Sequence, residues 1–546
     1  MGVVIHNEMS PFAETVMRAR YSHEGKESWS DIARRVSTNV LGAVDAPKDL
    51  VDETTRLIAE RKFMPGGRYL YAAGRDFHQV QNCLLLRAQD SREGWADHVA
   101  KSMMALMTGA GIGAVYSDLR EEGAPIHRTG GSSSGPIALM QTVNEVGRGA
   151  IQGGSRRAAI WSGLHWNHPD VMKFIKIKNW PKEVRTLKEK DFNFPATMDF
   201  TTISVILDDD FFAAYNDPNH SMHSWASDVY WGVISGMLKT AEPGFSIDIG
   251  ENNGENLRNA CTEITSSDDS DICNLGSVNM SRISSVEEMK AVTEIATAFL
   301  LAGTVYSDVP YPKVDQVRAK NRRIGLGLMG LHEWLLARDK HYGPDEELAK
   351  YLEVYANNGE VANEYADQWE LSHPVKTRSV APTGTIGIVG ETTTGVEPIF
   401  CAAFKRRYYD KGTWRYQYVL DPTAQRLVAD GVNPDHIEDA YSISHDRRLN
   451  FQSWLQQYVD HAISSTINLP AWGTPENNED GVQLFGEQLL EHLPYLRGVT
   501  VYPDGSRGGQ PLTPVSYREA EFQVGNVFTE ALDVCDIRNG GASCGA

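Results

Sequence analysis

From about residue 60 to about residue 510, short apolar runs alternate with longer amphipathic stretches, and this rhythm constrains the fold more than any other feature of the chain. AAIWSGL, TTISVIL, RRIGLGLMGL, TGTIGIVG and RGVTVY are each about long enough for one buried strand. Strands that are apolar on both faces must be covered on both faces, as in a mainly parallel sheet wrapped by helices. The expected fold class is therefore α/β. The Pro-Gly-Gly turn of KFMPGGRYLYAAG is read as leading into a strand. Before it, FAETVMRARYSH and SWSDIARRVSTNVL carry apolar residues near helical spacing, the second with Ser28 or Ser30 as its cap. The chain contains no internal repeat and no long low-complexity linker.

Charge narrows the set of partners. A net charge of −20 argues against a nucleic-acid groove or an anionic membrane surface, while local Arg and Lys pockets can still hold a small nucleotide. No apolar run approaches a membrane span, and the N-terminus lacks the apolar core of a signal peptide, so a cytoplasmic location is expected. Six cysteines are too few for a disulfide scaffold in 546 residues, and in a reducing compartment a disulfide would be transient and catalytic. Cys401 reads as a small buried apolar residue.

Four Gly-rich or His-rich stretches invite functional readings. GLGLMG (Gly325–Gly330) fits a dinucleotide pattern, yet LHEWLLARDKHYGPDEELAKYLEVYAN reads as helical throughout where a second strand with a terminal acid is needed, which argues against a nicotinamide site. In APTGTIGIVGETTTGVEP, the small residues Thr383, Gly384, Thr385, Ile386 and Gly387 stand before a helix start and suit a phosphate, although no Walker lysine follows. RGAIQGGSRRAA, with Arg156 and Arg157, is a basic loop fitted to an anionic ligand. HWNH has helical metal spacing, but Asn167 and Pro169 break it and no third ligand appears, so no metal site is expected.

The most telling stretch is NACTEITSSDDSDICNLGSVNM. In an extended loop Asn259, Cys261 and Glu263 share one face and aim an amide, a thiol and a carboxylate at one small ligand. Cys83, in QVQNCLLL, and Cys273, in DICNLG, both sit by expected strands, so the fold can bring them together. Two thiols facing a third fit a redox reaction with a separate radical or nucleophile.

At these residues the chain resembles the catalytic subunit of ribonucleotide reductases. The likeness includes FMPGGR, NCLLL, GAGIGA, GGSSSG, QGGSRRAA, HPDVMKFI, TISVILDDDFF, NRRIGLGLMG, APTGTIGIVG with TGVEP, VYPDGSR and the cysteine-bearing tail, in order. It implies a ten-stranded α/β barrel over residues 61–525 with a central finger loop near 259–280. A helical region (1–60) would precede it and a flexible redox tail (526–546) would follow. By the resemblance, Cys261 carries a thiyl radical, Glu263 accepts a proton from the ribose 3′-hydroxyl and Asn259 holds the adjacent hydroxyl. Cys83 and Cys273 supply two electrons and end as a disulfide, which Cys535 and Cys544 pass to thioredoxin or a glutaredoxin-like reductant. The gap in CDIRNGGASC is wider than is usual for such tails. The 383–387 loop would bind substrate phosphates. A dNTP or ATP specificity effector would lie near Asp90, Arg120 and Arg156.

The family divides by radical source. Where an oxygen-dependent member has two adjacent tyrosines, this chain has Tyr502 followed by Pro503, and the pair Tyr408–Tyr409 falls outside that strand. The tail has no glycyl-radical motif. The chain therefore looks like the adenosylcobalamin-dependent class, as EPIFCAAFKRR also does, acting on a ribonucleoside di- or triphosphate. The alternatives are the same reaction with the radical supplied by a ferritin-like metal subunit, and a non-catalytic nucleotide-binding regulator. No segment resembles the family's ATP cone, so specificity control without overall on/off control is expected, in a homodimer or a monomer.

Overall fold

The computed structural model describes residues 9–127, 130–150, 158–191, 194–410, 413–429, 431–506 and 512–529. Three helices come first: α1 (Pro11–Arg20), α2 (Trp29–Gly42) and α3 (Lys48–Ala59). Ser28 caps α2, its hydroxyl accepting from the Asp31 backbone while the Asp31 carboxylate accepts from the Ser28 backbone. Ile32, Ala33, Val36 and Val40 give α2 a fully buried stripe against the barrel's helical coat.

The Pro-Gly-Gly segment differs from expectation. Its strand, β1 (Phe63–Pro65), precedes the turn, and a helix, α4 (Gly67–Ala72), follows it. The reason is close docking. Gly66 donates its N–H to the Leu275 carbonyl at 2.8 Å, and a Cβ on Gly66 would lie 2.6 Å from that oxygen.

One half of the barrel is β2 (Cys83–Arg87), β3 (Gly111–Val115), β4 (Ile160–His165), β5 (Thr201–Asp208) and β6 (Gly244–Asp248), each parallel to the next. Between the halves runs a short hairpin, β7 (Leu257–Arg258) and β8 (Thr265–Ser266). The other half has β9 (Asp271–Asn279) parallel to β10 (Ile324–Met329), and β13 (Thr466–Leu469) parallel to β14 (Gly498–Pro503). The halves meet in antiparallel seams, β2 with β9 and β6 with β14.

Together with β1 on β9, these form one ten-stranded sheet. Residues 377–380 close it into a ring. Ser379 donates to Leu326 and Val380 donates to Ala462, which bridges β10 to the approach of β13.

TGTIGIVG is a helix (Gly384–Gly390), not a strand. Pro382 ends the ladder and Thr383, at φ +51°, turns the chain, so β-prone residues are carried into a helical turn. The long helical stretch after GLGLMG likewise breaks into Leu331–Leu336 and Glu346–Ala356, separated at Asp339 (φ +56°) and restarted by the Asp345 cap. A second sheet, unforeseen in the sequence, joins β11 (Ala403–Asp410) and β12 (Thr413–Leu420) to β15 (Leu512–Pro514) and β16 (Val527–Thr529). Tyr408 and Tyr409 lie in β11, apart from β14. Among the described residues no helix is long and apolar enough to cross a membrane.

Candidate active site inside the barrel

The β7–β8 hairpin enters the barrel and presents residues 259–264 at its tip. Of the stretch expected as loop, 271–279 is barrel strand β9. Two glycines of β3 make room for the hairpin. A Cβ on Gly113 would stand 1.9 Å from the Arg258 carbonyl oxygen, and one on Gly111 would stand 3.1 Å from the Ala260 Cβ. Leu257 and Ile264 pack with Leu85, Val115, Trp161 and Ile206 in a small interior cluster that also holds Cys83 and Cys273.

The tip is a tight turn rather than an extended strip. Thr262 sits at φ +67° and donates its N–H to Asn259 O at 3.1 Å. The turn, not strand alternation, gathers Asn259, Cys261 and Glu263. Asn259 Oδ1 accepts from the Ile264 N–H at 3.0 Å, which fixes the amide. The Glu263 carbonyl accepts from the Ala462 N–H at 2.9 Å and from Ser379 Oγ at 3.0 Å, pinning the tip to the second half-barrel.

Glu263 and Cys83 face each other, with the thiol 4.0 Å from Oε1. The other carboxylate oxygen, Oε2, is buried and has no partner. Burial pushes the Glu263 carboxyl up to about 7, against the smaller lowering from its own backbone N–H and from Asn259. Cys83 and Cys273 are directly opposed across the β2–β9 seam, and both are free thiols. Opposed residues in antiparallel strands have Cα atoms roughly 4.5–5.5 Å apart, within reach of a disulfide. Burial raises both thiols well above their ordinary value, with Glu263 adding to the effect at each.

Cys261 is open to the barrel interior yet surrounded by protein. Desolvation, then Glu263, holds its thiol well up, so at neutral pH it carries its hydrogen. Three protonated thiols and one carboxyl near neutrality make a site for hydrogen-atom and proton transfer rather than thiolate attack.

A cavity of 540 Å³ is lined by segments that continue from the anchors of the tip, while Asn259, Cys261 and Glu263 are not among its lining residues. Pro382, three residues past Ser379, and Thr466, four past Ala462, line it, so the segments that pin Glu263 continue into its wall. Gly384 and Gly387 line it as well, and Thr383 is held by its hydroxyl accepting from the Gly395 N–H at 2.7 Å. Of the expected phosphate loop, Gly384, Thr385, Ile386 and Gly387 thus form the first turn of a helix behind a left-handed Thr383.

Elsewhere, Asp90 and Arg120 pair at 2.8 Å on the surface. Arg156, Arg157, Cys535 and Cys544 lie outside the described residues. The histidines of HWNH are occupied: His165 contacts Asp208 and Asn167, and His168 Nε2 contacts Leu119 O. Among the described residues no cluster of ligands could hold a metal ion. Sequence reasoning missed the anchors Ser379 and Ala462, which carry no motif and gain meaning only when the ring closes.

A barrel of two antiparallel half-sheets with a thiol-bearing finger through its centre defines a narrow class of protein. The chain matches "Ribonucleotide reductase, barrel domain" over residues 81–235, 225–356 and 375–483, and "Ribonucleotide reductase, all-alpha domain" over 7–78. It belongs to the ribonucleotide reductase family. A vitamin B12-dependent ribonucleoside-diphosphate reductase of Mycobacterium tuberculosis is 26% identical, the alignment covering 97% of this chain and 84% of that protein. A putative adenosylcobalamin-dependent ribonucleoside-triphosphate reductase of Mycobacterium phage D29 is 24% identical, covering 96% and 97%. The class Id ribonucleotide reductase alpha subunit of Actinobacillus ureae shares the fold, with a TM-score of 0.71 over 91% of this chain and 97% of that one at 15% identity.

Proposed function

We propose that the protein reduces ribonucleotides to 2′-deoxyribonucleotides by thiyl-radical chemistry begun with adenosylcobalamin. The observation that carries this reading is the meeting of Cys261, Asn259 and Glu263 on the finger tip with the opposed pair Cys83–Cys273 inside the barrel. Cys261, as a thiyl, takes the ribose 3′-hydrogen. Glu263 accepts the 3′-hydroxyl proton, and Asn259 holds the adjacent hydroxyl. The Cys83 and Cys273 thiols protonate the leaving 2′-hydroxyl, give two electrons and close to a disulfide. Cys261 returns the hydrogen to C3′ at the end. Cys535 and Cys544 exchange with that disulfide and are reduced by thioredoxin or a glutaredoxin-like protein.

Substrate phosphates sit at the Thr383–Gly387 loop, in the cavity that Gly384 and Gly387 line. A dNTP or ATP effector displaces the surface pairing of Asp90 with Arg120 and engages Arg156. A cytoplasmic homodimer suits these roles.

The cofactor assignment is supported by relatives named as vitamin B12- or adenosylcobalamin-dependent. The chemistry of the cavity suits the group too. Phe400, Phe404, Val419 and Leu512, from the second sheet and its approaches, give the wall beyond the phosphate loop an apolar surface for a large flat macrocycle. When bound, adenosylcobalamin supplies an organic radical by breaking its Co–C bond.

A second reading, with a ferritin-like subunit as radical source, has one observation in its favour. Tyr441 donates its hydroxyl to Asp504 Oδ1 at 2.9 Å, placing a second phenol by the end of the strand that holds Tyr502. One assay separates the two. The purified protein, kept anaerobic with adenosylcobalamin, a dithiol and a dNTP, is given ribonucleoside di- and triphosphates. Deoxynucleotide formation that depends on the cofactor is expected. No product without a ferritin-like partner, and product with it, would transfer the assignment to the second reading.

A further inference from the structure

At the base of the finger, a buried group of basic side chains is joined by direct contacts. Glu255, two residues before β7, pairs with Lys376 and, at 3.2 Å, with Arg323, and its Oε2 accepts from Thr265 Oγ1 at 2.9 Å. The Thr265 N–H donates to His461 Nδ1 at 3.1 Å, so the ring hydrogen of His461 is on Nε2. Arg323 also pairs with Asp271 at 2.6 Å. Arg258, in β7, donates to the Glu255 carbonyl and, through Nη2, to the Ile247 carbonyl at 2.8 Å. The N–H of the same Ile247 donates to the Arg497 carbonyl at 3.0 Å.

These contacts leave donors unmet. Arg497 Nε, Nη1 and Nη2, Arg258 Nε, Arg323 Nη1 and His461 Nε2 are buried and have no hydrogen-bond partner among the described residues. Arg497, the most exposed of the four, is 5% exposed. Against them stands Asp248 Oδ1, also unpartnered. The side chains feel one another. Burial and the charges of Arg323, Lys376, Arg497 and Arg258 hold His461 neutral, and burial with the Arg497 charge pushes Arg258 down to about 9. The cations Arg258, Arg323, Lys376 and Arg497 face the acids Glu255, Asp271 and Asp248, four against three. Asp208, which acts on Asp248, and Asp460, which acts on Lys376, are engaged by His165 and Arg378. An unpaired buried charge with unmet donors is costly unless something compensates it.

We propose that this cluster binds a small inorganic anion, chloride or an oxyanion of the phosphate kind, held by Arg497, Arg258, Arg323 and His461. The ion supplies the missing negative charge and ties β7, through Arg258, to the starts of β10 and β14, through Arg323 and Arg497. It thereby fixes the base of the hairpin whose tip carries Cys261. Exchange with solvent runs past Lys376, which lines a surface cleft of 350 Å³ together with Thr377 and Asp460. None of the four binding residues lines the cavity assigned to substrate, so the site stands whether or not that assignment does.

Equilibrium dialysis of the protein against labelled chloride and, separately, labelled phosphate tests this, in sodium gluconate at constant ionic strength. Saturable uptake of about one ion per chain is expected in at least one arm, and the arm identifies the ion. Arg497→Gln should weaken that uptake about tenfold or more, the usual scale of hydrogen bonds to a charged group. Arg497→Lys, which keeps the charge, should weaken it less. Hydrogen exchange gives a second readout. In wild type the ion should slow exchange of the amides at 257–266, that of Thr265 above all, and in Arg497→Gln it should leave them unchanged. No saturable uptake of either ion by the wild type would overturn the proposal, and that result needs no variant to fold. Uptake that persists unchanged in Arg497→Gln would overturn it as well. So would uptake of phosphate alone that a nucleoside diphosphate abolishes, because the ion would then belong to the substrate cavity.

Discussion

Glu263 is the residue on which the proposed chemistry turns, because a base there would depend on a proton that burial makes it keep. With the carboxyl pushed up to about 7, the basic form fills only as pH rises through neutrality. The account predicts that kcat/KM climbs with pH through about 7, measured under reducing conditions with cofactor saturating. A rise centred near 4.5, the ordinary value for a glutamate, would contradict it. The stability linkage has the opposite slope. The folded state holds this proton at pH values where the unfolded chain has lost it, so the stability Glu263 contributes is complete below 4.5 and declines as pH rises toward about 7. Glu263→Gln should remove that part of the pH dependence in chemical denaturation. That these residues come together was legible in the sequence, since Asn-x-Cys-x-Glu and two strand-borne cysteines name them. Their geometry was not. The left-handed Thr262 and the anchors Ser379 and Ala462 depend on a ring closure formed by residues far apart in the chain.

At the scale of elements, the finger exists because β3 gives way to it. Adding a methyl at Gly113 sets a Cβ at 1.9 Å from a backbone oxygen of β7, which no side-chain rotation relieves. Gly113→Ala is predicted to cost roughly 1–3 kcal/mol or more by overpacking and to abolish turnover by displacing Cys261. Gly42→Ala, at the end of α2 with nothing within 4 Å, serves as the control and should be neutral or slightly stabilising. Urea midpoints at constant m-value measure both, and a Gly113→Ala protein with wild-type midpoint and turnover would contradict the packing argument. The misread elements have a common cause. GTIGIVG is rich in β-formers and FMPGGR looks like a turn before a strand, but a Pro-initiated turn and a backbone docked on Leu275 set the outcome in both. Local propensity yields to tertiary contact at such short segments.

At the scale of the molecule, the alternation of apolar runs and amphipathic stretches was sufficient to place the chain in the α/β class, and the parallel half-barrels follow from it. The roofing sheet of β11, β12, β15 and β16 did not follow, because its strands come from segments separated by about a hundred residues and two of them are only three residues long. Barrel and finger together hold the Cys261 thiol open to the barrel interior, and the proposed function stands on this thiol carrying the radical. The direct measurement is deoxynucleotide formation by Cys261→Ser beside wild type, anaerobically with adenosylcobalamin, dithiol and effector, with effector binding as the check on folding. The account predicts no detectable turnover in Cys261→Ser and unchanged effector affinity. Turnover near the wild-type level in that variant would remove Cys261 from the radical role.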